Sequence, residues 1–281
     1  MVQKRKFKSQ SWEDISNQLE KFLRLRTLPV GIKFYKDISL LNKVENLKKP
    51  TRKVLLCQLI TVARTYGWTI GVTKDVLLSG SPCAAMIGFD ERKDIIKEGV
   101  YRSAIWFKTK GEGRKCEEIF PHLPAGQHMA LVIGPIAKNK FDPDIILLYG
   151  TPAQMMLIVN ALQWEDYERL KFFCIGESSC ADYIAECFLS HKPSLTIPCF
   201  GERVYGHTQE EELVIAIPSD QIRKVLDGLH GLSKRGIRYP IPFSGPQLDV
   251  VTKLPPFYLD IYGITDQPLF KSWNEQRMNS K

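Results

Sequence analysis

Two cysteines occupy the same place in two similar stretches of the sequence. Residues 80–85 (Gly-Ser-Pro-Cys-Ala-Ala) resemble 177–182 (Glu-Ser-Ser-Cys-Ala-Asp), so that Cys83 and Cys180 stand 97 residues apart. The serines before each cysteine predict a helix that begins there, and the free N–H groups and dipole of a helix start favour a thiolate. A nucleophile or a soft metal needs a thiolate, so both cysteines are candidates for a functional site.

Two further cysteines extend this candidate site. Cys57 is predicted to begin a helix in the first of the two similar regions, and its counterpart by offset is Ala153. Cys199 stands between Pro198 and Gly201, which shape the backbone and indicate a thiol presented at a strand end. The predicted site residues, for a cofactor or a metal, are Cys57, Cys83, Cys180 and Cys199.

The other three cysteines have less specific surroundings. Cys116 lies in a charged stretch and is predicted to be an exposed loop residue, whereas Cys174 lies in an apolar run and is predicted to be core. Cys187 follows Cys180 by seven residues and is predicted to pack in the core from the same helix. The five histidines have no paired metal spacing, and the chain has no Gly-x-Gly-x-x-Gly, P-loop, Gly-x-Ser-x-Gly or His-Glu-x-x-His motif.

Composition favours a globular, cytoplasmic protein. The 281 residues are 44% hydrophobic and 25% charged, enough for a full core without disulfides. No run of about 18 apolar residues predicts a membrane span. The N-terminus is basic but lacks the apolar region of a secretory signal, so the seven cysteines are expected in a reducing compartment as free thiols, metal ligands or buried small side chains.

The positive charge is concentrated in the N-terminal fifth. Residues 1–53 hold 14 Lys or Arg and 5 Asp or Glu, while the formal charge of the whole chain is +8. A solvated helix face would account for this, and docking on an acidic protein partner is the functional alternative. Nucleic acid is an unlikely partner, because no recognition motif is present and aromatic residues do not interleave with the basic ones.

The elements that position the cysteines follow from hydrophobic periodicity. Helices are predicted at 11–26, 55–66, 81–88, 151–162, 180–189 and 220–229. Strands are predicted at 29–35, 68–73, 101–108, 128–136, 143–149, 170–175, 195–204 and 212–217.

These elements predict an α+β fold built from two structurally similar halves. Strand, helix, strand and cysteine-bearing helix recur in the same order, which indicates an internal duplication with mixed sheets and flanking helices about a pseudo-twofold axis. The predicted divisions are a basic N-terminal helix at 1–27, half-repeats at 28–142 and 143–239, and a C-terminal extension at 240–281. The extension is rich in proline and aromatic residues, and is expected to wrap the domain or a partner subunit. That partner could be a different protein or a second copy of this chain in a homo-oligomer.

Several motifs together resemble a known prokaryotic family. They are Leu-Pro-Val-Gly-Ile-Lys-Phe at 28–34, Cys-Gln at 57–58, Cys-Ala-Ala-Met-Ile-Gly at 83–88, Pro-Ala-Gln at 152–154, Ser-Cys-Ala at 179–181 and Cys-Phe-Gly-Glu-Arg at 199–203. The chain resembles the domain of unknown function 169 family over roughly residues 20–230. The family pattern carries cysteines at the positions of all four candidates. The resemblance implies no assigned activity, but it implies bacteria and archaea, often anaerobes, in which iron–sulfur chemistry is common.

Two functions of different classes remain open at this point. Four thiolates suit an iron–sulfur cluster, or zinc as the alternative, and would give a redox or electron-transfer protein. Because no Cys-x-x-Cys pair is present, such a site requires that the two halves bring the ligands together. The other hypothesis is a non-catalytic accessory subunit whose thiols line a pocket for a small ligand. Neither hypothesis decides whether the protein is an enzyme.

Overall fold

Six strands form a single antiparallel sheet at the centre of the computed structural model, which describes residues 10–241 and 261–263. The strands are β1 (Val30–Tyr35), β2 (Ile70–Thr73), β3 (Ala130–Pro135), β4 (Ile145–Gly150), β5 (Ser194–Thr196) and β6 (Leu213–Pro218). Their order across the sheet is β2-β3-β1-β4-β6-β5. The α+β class is confirmed, but the mixed sheets expected from the sequence are wrong, since every strand pair is antiparallel.

Ten α-helices are described around this sheet. They are α1 (Trp12–Leu23), α2 (Leu56–Tyr66), α3 (Pro82–Met86), α4 (Asp94–Lys97), α5 (Val100–Ile105), α6 (Lys110–Ile119), α7 (Pro152–Leu162), α8 (Glu186–Ser190), α9 (Phe200–Tyr205) and α10 (Ile222–Lys234). A π-helix at Ala181–Ala185 runs directly into α8, and short 3₁₀ turns lie at Ile38–Lys43, Ile136–Lys138 and Ser219–Gln221. Within the described ranges, no helix is long and apolar enough to cross a membrane.

Alternating side chains of the strands contribute to three core clusters, a large one on each face of the sheet and a smaller one around Ala130 and Val132 of β3. In β4, Leu147 belongs to a core that includes α2, α3 and the π-helix, whereas its neighbours Ile146 and Leu148 belong to a core with α1, α7 and α10. Successive strand residues point to opposite faces, so both faces of the sheet are covered by helices. This explains why β3 and β4 are buried along their whole length rather than alternately.

The N-terminal helix forms as its sequence predicts. Ser11 caps α1 and forms a reciprocal capping box with Asp14, while Ile15 and Leu19 are buried on one face. The indole N–H of Trp12 donates to Asp142 at 2.8 Å, which ties the helix to the loop before β4. The basic residues before position 10 lie outside the described part of the chain, as does most of the extension at 240–281.

Four predicted elements differ from the structure. Residues 101–108 were predicted as a strand but mostly form α5, and the charged loop before residue 119 is α6, capped by the Thr109 hydroxyl. Residues 170–175 do not form a strand, because the N–H of Ile175 donates to Asp182 at 3.0 Å rather than to a neighbouring strand. The long strand predicted at 195–204 is shortened to β5, and its second part is α9.

The two chain halves supply the sheet in the same outward order. From the centre, the first half contributes β1, β3 and β2, and the second contributes β4, β6 and β5. Their sequence order differs, however, because β2 precedes the helix that carries Cys83, whereas β5 follows the helix that carries Cys180. The strand expected between α7 and Cys180 is the one that does not form.

A close contact between α7 and α10 gives a stability prediction. A Cβ on Gly228 would lie only 2.5 Å from the Cα of Ala161, so Gly228→Ala must push the two helices apart. Overpacking costs about 1–3 kcal/mol and the better helix propensity of alanine returns roughly 1 kcal/mol, so we expect a net loss of up to about 2 kcal/mol in the free energy of unfolding. Urea denaturation would measure it, with Ser233→Ala on the same helix as the control. An unchanged or higher stability for Gly228→Ala would show that the contact relaxes freely.

Candidate functional site

All four cysteines predicted from the sequence line one cavity. The cavity has a volume of about 300 Å³ and lies where α2, α3, α9 and the π-helix approach one another. Cys57 and Cys83 come from the first half of the chain, and Cys180 and Cys199 from the second. All are free thiols, with Cys180 buried and the other three partly exposed. The fold thus brings together residues that are far apart in sequence.

Each of these cysteines lies at the beginning of a helix. Cys57 and Cys83 are the second residues of α2 and α3, Cys180 directly precedes the π-helix, and Cys199 is the N-cap of α9. Ser81 caps α3 by accepting the N–H of Ala84 at 3.3 Å, as its sequence predicts. Unpaired N–H groups at such starts create a positive local field, which favours negative charge in the cavity.

The field of the helix starts would lower the pKa of a thiol, whereas burial raises it. For two of the four thiols the effect of burial is the larger one. Desolvation raises the pKa of Cys57 strongly, and the neighbouring Cys83 and Glu202 add to the rise. The pKa of Cys180 is raised well above its ordinary value by its hydrogen bond with the Cys83 thiol and by burial. In the metal-free protein these thiols are therefore held in the protonated form, and a bound cation or cluster would have to displace their protons.

A buried carboxyl group lies beside the thiols. Glu202 lines the cavity, three residues after Cys199 on α9, and is 3% exposed. The hydroxyl groups of Tyr149 and Ser179 donate to it, and the hydroxyl of Tyr183 lies 3.4 Å away. Burial raises the pKa of Glu202, and these hydroxyl donors oppose the rise. Ser179 also accepts the N–H of Cys199 at 3.2 Å, so one side chain joins both cysteine-bearing helix starts of the second half.

An ion-pair cluster fixes the loop that leads to Cys180. The Arg102 side chain on α5 is fully buried and pairs with Glu117 on α6 and with Glu177, at 2.5 Å for the Glu177 pair. Arg102 also donates to the Ser178 hydroxyl at 3.1 Å. Ser178 has a φ of 45°, a left-handed conformation that is uncommon for a residue with a side chain. Because Arg102 holds both Glu177 and Ser178, it stabilises the turn that aims Cys180 into the cavity.

Among the remaining cysteines, one prediction agrees with the structure and two are wrong. Cys187 is buried in the core as expected. Cys116 is buried rather than exposed, because α6 turns it toward Glu177, 3.7 Å from its sulfur. Cys174 is exposed rather than core, because its segment does not join the sheet.

The residues of this site that sequence reasoning missed are Glu202, Arg102 and Glu177. For Glu202 a signal existed, since a residue three after Cys199 shares its helix face. The neighbouring Arg203 is a candidate partner, from the sequence, for an anion or for Glu202 or Glu212. In the structure its guanidinium instead donates to the carbonyl oxygen of Gln209. No local pattern marks Arg102 or Glu177, because their partners are distant in the sequence.

The four thiols are spread around the wall of the cavity and do not converge on a single point where one metal ion could bind. Across residues 10–241 and 261–263, no group of three or more histidine, cysteine or acidic side chains is arranged closely enough to hold a metal ion. Four thiolates around a single zinc ion would have sulfur atoms about 3.8 Å apart, given a Zn–S bond of ~2.3 Å. A single ion would therefore require the thiols to draw together.

The raised thiol pKa values predict how stability depends on pH. Above pH ~8.5, unfolded cysteines ionise while folded Cys57 and Cys180 stay protonated, so the folded state binds more protons. The free energy of unfolding of the metal-free protein should then fall by up to ~1.4 kcal/mol per pH unit for each thiol. Urea denaturation at several values between about pH 7.5 and pH 9.5 would measure this fall, because the range lies on both sides of the unfolded cysteine pKa of ~8.5. Cys57→Ser should reduce the slope and Cys174→Ser, at an exposed site, should not; equal slopes would contradict the assignment.

Comparisons with known proteins agree with the resemblance seen in the motifs. The model of the domain of unknown function 169 family, described as uncharacterised ArCR, matches residues 18–228. A protein of Methanocaldococcus jannaschii, named only as uncharacterised, is 26% identical over 175 residues, which cover 62% of this chain and 75% of that protein. No solved structure matches the chain significantly. The match to the family model spans all four cysteines and most of the described fold, and the chain therefore belongs to the domain of unknown function 169 family.

Proposed function

We propose that this chain is a cytoplasmic redox or electron-transfer protein whose four cysteines ligate an iron–sulfur cluster. The observation that carries the proposal is the meeting of four free thiols, from four separate helix starts, in one cavity. Core cysteines are common, but chance packing has no reason to bring only these four to one cavity while Cys174 and Cys187 lie elsewhere. The resemblance to the family implies the same four.

The size and lining of the cavity favour a cluster over a single ion. An iron–sulfur cluster takes one set of terminal thiolates on several iron atoms, so its ligands stand further apart than those of zinc. A volume of about 300 Å³ between the thiols leaves room for such a group. Tyr101, Trp106 and Phe200 also line the cavity and would limit the access of water, which is one determinant of cluster potential.

The charge of the surroundings is compatible with a thiolate-bound cluster. Loading requires Cys57 and Cys180 to lose protons that burial now retains, so affinity should rise with pH. Once ionised, the thiolates would be stabilised by the iron and by the helix starts that carry them.

The proposal includes a duplicated scaffold related by a pseudo-twofold axis. Its support is the common outward strand order of the two halves and the similar stretches around Cys83 and Cys180. Cys57 and Cys199 have no counterparts, so the site would combine a symmetric pair with an asymmetric one. Superposing the backbone of 28–142 on 143–239 in an experimental structure would test this. A failure of β1, β3 and α2 to overlay β4, β6 and α7 would refute the duplication.

Anaerobic purification tests the function directly. We expect a coloured protein with a broad visible absorption, containing iron and acid-labile sulfide, after expression with iron and cysteine supplied. Chemical reconstitution of the purified chain with ferrous iron and sulfide under argon should give the same spectrum. Zinc in place of iron and sulfide would identify the other thiolate-metal assignment. A colourless, metal-free protein from both routes would refute a metal centre.

The second candidate is a non-catalytic accessory subunit that binds a small ligand in a thiol-lined pocket. The cavity of about 300 Å³ and the protonated state of Cys57 and Cys180 beside it favour this candidate. Docking to a protein partner through the basic N-terminus and the C-terminal extension belongs to this candidate. It would be supported if the anaerobically purified protein were metal-free while a Cys83→Ser variant lost binding of a small ligand that co-purifies with the wild type.

A further inference from the structure

The mouth of the cysteine cavity is surrounded by exposed apolar side chains. Ile105 and Trp106 at the end of α5 are 56% and 41% exposed, and Phe200 and Tyr205 on α9 are 62% and 49% exposed. All four line the cavity while remaining open to solvent, which places them at its entrance. We call these four residues the rim.

The rim is arranged more like an interface than like a core. Trp106 and Phe200 meet edge to face with ring centroids 6.0 Å apart, so the two helices hold their aromatic rings in a fixed relation. Large exposed apolar side chains are costly to leave in water when they cluster, and rigid aromatic side chains are the common anchors of protein interfaces. In the described part of the chain, nothing covers these four side chains.

Three lysines lie beside the rim, and two of them, Lys53 and Lys93, are also close enough to Asp75 and Asp90 to interact with them electrostatically. Lys53 lies two residues before the cavity residue Leu55, and Lys108 lies two residues after Trp106; both are exposed. Lys93 lies against Gly80, next to the cavity residue Ser81, since a Cβ on that glycine would be 2.7 Å from the lysine Cε. Among the described residues, none of the three lysines makes an ion pair. The carboxyl groups of Glu177 and Glu202 line the cavity but are buried.

We propose that the rim and its flanking lysines are the docking surface for a small acidic electron-carrier protein, an inference that rests on the proposed redox function. The apolar rim would be covered by the partner, and the lysines would attract its acidic face and orient it over the cavity. This geometry brings the partner's redox group to the open side of the thiol cavity. One electron would pass from the reduced carrier to the oxidised cluster, so that the carrier is oxidised and the cluster reduced by the same electron.

An acidic ferredoxin and a basic cytochrome c are suitable probes of opposite charge. The rate constant for electron transfer from the reduced ferredoxin to the purified chain would be measured by stopped-flow absorbance at several ionic strengths. We expect the rate constant to fall steeply as salt is added, because screening removes the attraction between the lysines and an acidic surface. Cytochrome c should show the opposite or no salt dependence. A rate constant for ferredoxin that does not change with salt would contradict the charge assignment.

Variants separate the rim from general effects of charge. The double variant Lys53→Glu/Lys108→Glu should lower the ferredoxin rate constant by about tenfold or more, and Trp106→Ala should weaken equilibrium binding by at least about tenfold, as for an interface anchor. Lys234→Glu, at the end of α10 on the other side of the sheet, is the control for added negative charge and should leave both unchanged. Equal effects of Lys234→Glu and of the rim variants would refute the proposed surface.

The same samples distinguish a failure of docking from a failure of the redox function. If the anaerobic protein carries a cluster but the rim variants bind and react like the wild type, docking at the rim is refuted and the function stands. If the protein lacks a metal centre, calorimetric binding of the ferredoxin to the wild type, the rim variants and Lys234→Glu still decides whether the surface recognises an acidic protein. Absence of binding in that case refutes both proposals.

Discussion

Replacement of Cys180 by serine is expected to abolish the visible absorbance and at least most of the bound iron of the anaerobically purified protein. Cys180 is the buried member of the four thiols and is hydrogen-bonded to Cys83, so its replacement would remove one of the four proposed ligands. A serine hydroxyl is far less acidic and a harder ligand than a thiol, so it replaces the thiolate poorly. Cys83→Ser should behave in the same way.

Cys174→Ser is the matched control for this experiment. Cys174 is exposed and lies outside the cavity, so its replacement should leave iron, sulfide and spectrum unchanged. Circular dichroism and urea denaturation of the metal-free variants would show that each is folded. Full retention of the spectrum in both Cys180→Ser and Cys83→Ser would mean that these two residues are not ligands, even if the protein contains a cluster.

Arg102→Met is expected to cause the largest loss of stability among single substitutions near the site. The Arg102 side chain is fully buried, and those of Glu117 and Glu177 are 1% and 5% exposed. Removal of the guanidinium therefore leaves the buried Glu177 without its cation, and leaves Glu117 with only Arg92, at 3.6 Å. Removing one partner of a buried ion pair commonly costs about 3–5 kcal/mol. The loss should also release the Ser178 turn and thereby displace Cys180.

The pH dependence of this loss identifies its electrostatic cause. Burial already raises the pKa of Glu177, with Arg102 opposing the rise, so without Arg102 this folded-state pKa lies further above the unfolded value of ~4.3. A group with a raised pKa favours folding below its unfolded pKa, and that contribution is lost as the pH rises through the folded pKa. Arg102→Met should therefore be most destabilising near neutral pH, and the deficit should shrink toward about pH 4.5.

Urea denaturation of the metal-free wild type and variants would measure the effect. Arg114→Met, an exposed arginine on the adjacent α6, should change the free energy of unfolding by less than about 0.5 kcal/mol. Arg102→Lys keeps the positive charge but lacks the several N–H donors of the guanidinium that reach two carboxylates and Ser178. Its loss in free energy of unfolding should therefore lie between those of Arg114→Met and Arg102→Met. A loss below about 1 kcal/mol for Arg102→Met, or a loss independent of pH, would contradict the role assigned to this cluster.

Elements with a regular local pattern were predictable from the sequence. The capping box of α1, the apolar runs of β1, β3 and β4, and the Thr151 cap of α7 all form where composition and spacing place them. Their burial patterns and caps are local properties, so the chain specifies them without knowledge of distant partners. The predictions for segments 101–108 and 170–175 were wrong because side-chain contacts outside each segment shape them. Arg102 pairs with Glu177, which is 75 residues away, and Asp182 accepts the N–H of Ile175 from seven residues further along the chain.

The sequence indicated which four thiols could form a site and that helix starts would carry them. It could do so because a cap residue, a helix start and a repeated stretch are visible within a few consecutive positions. The meeting of Cys57, Cys83, Cys180 and Cys199 in one cavity, which Glu202 and the rim also line, follows from the three-dimensional fold and from no local pattern. The physical reason is that an antiparallel sheet joining both halves sets these distances, and its strand order is fixed by long-range packing rather than by any local pattern.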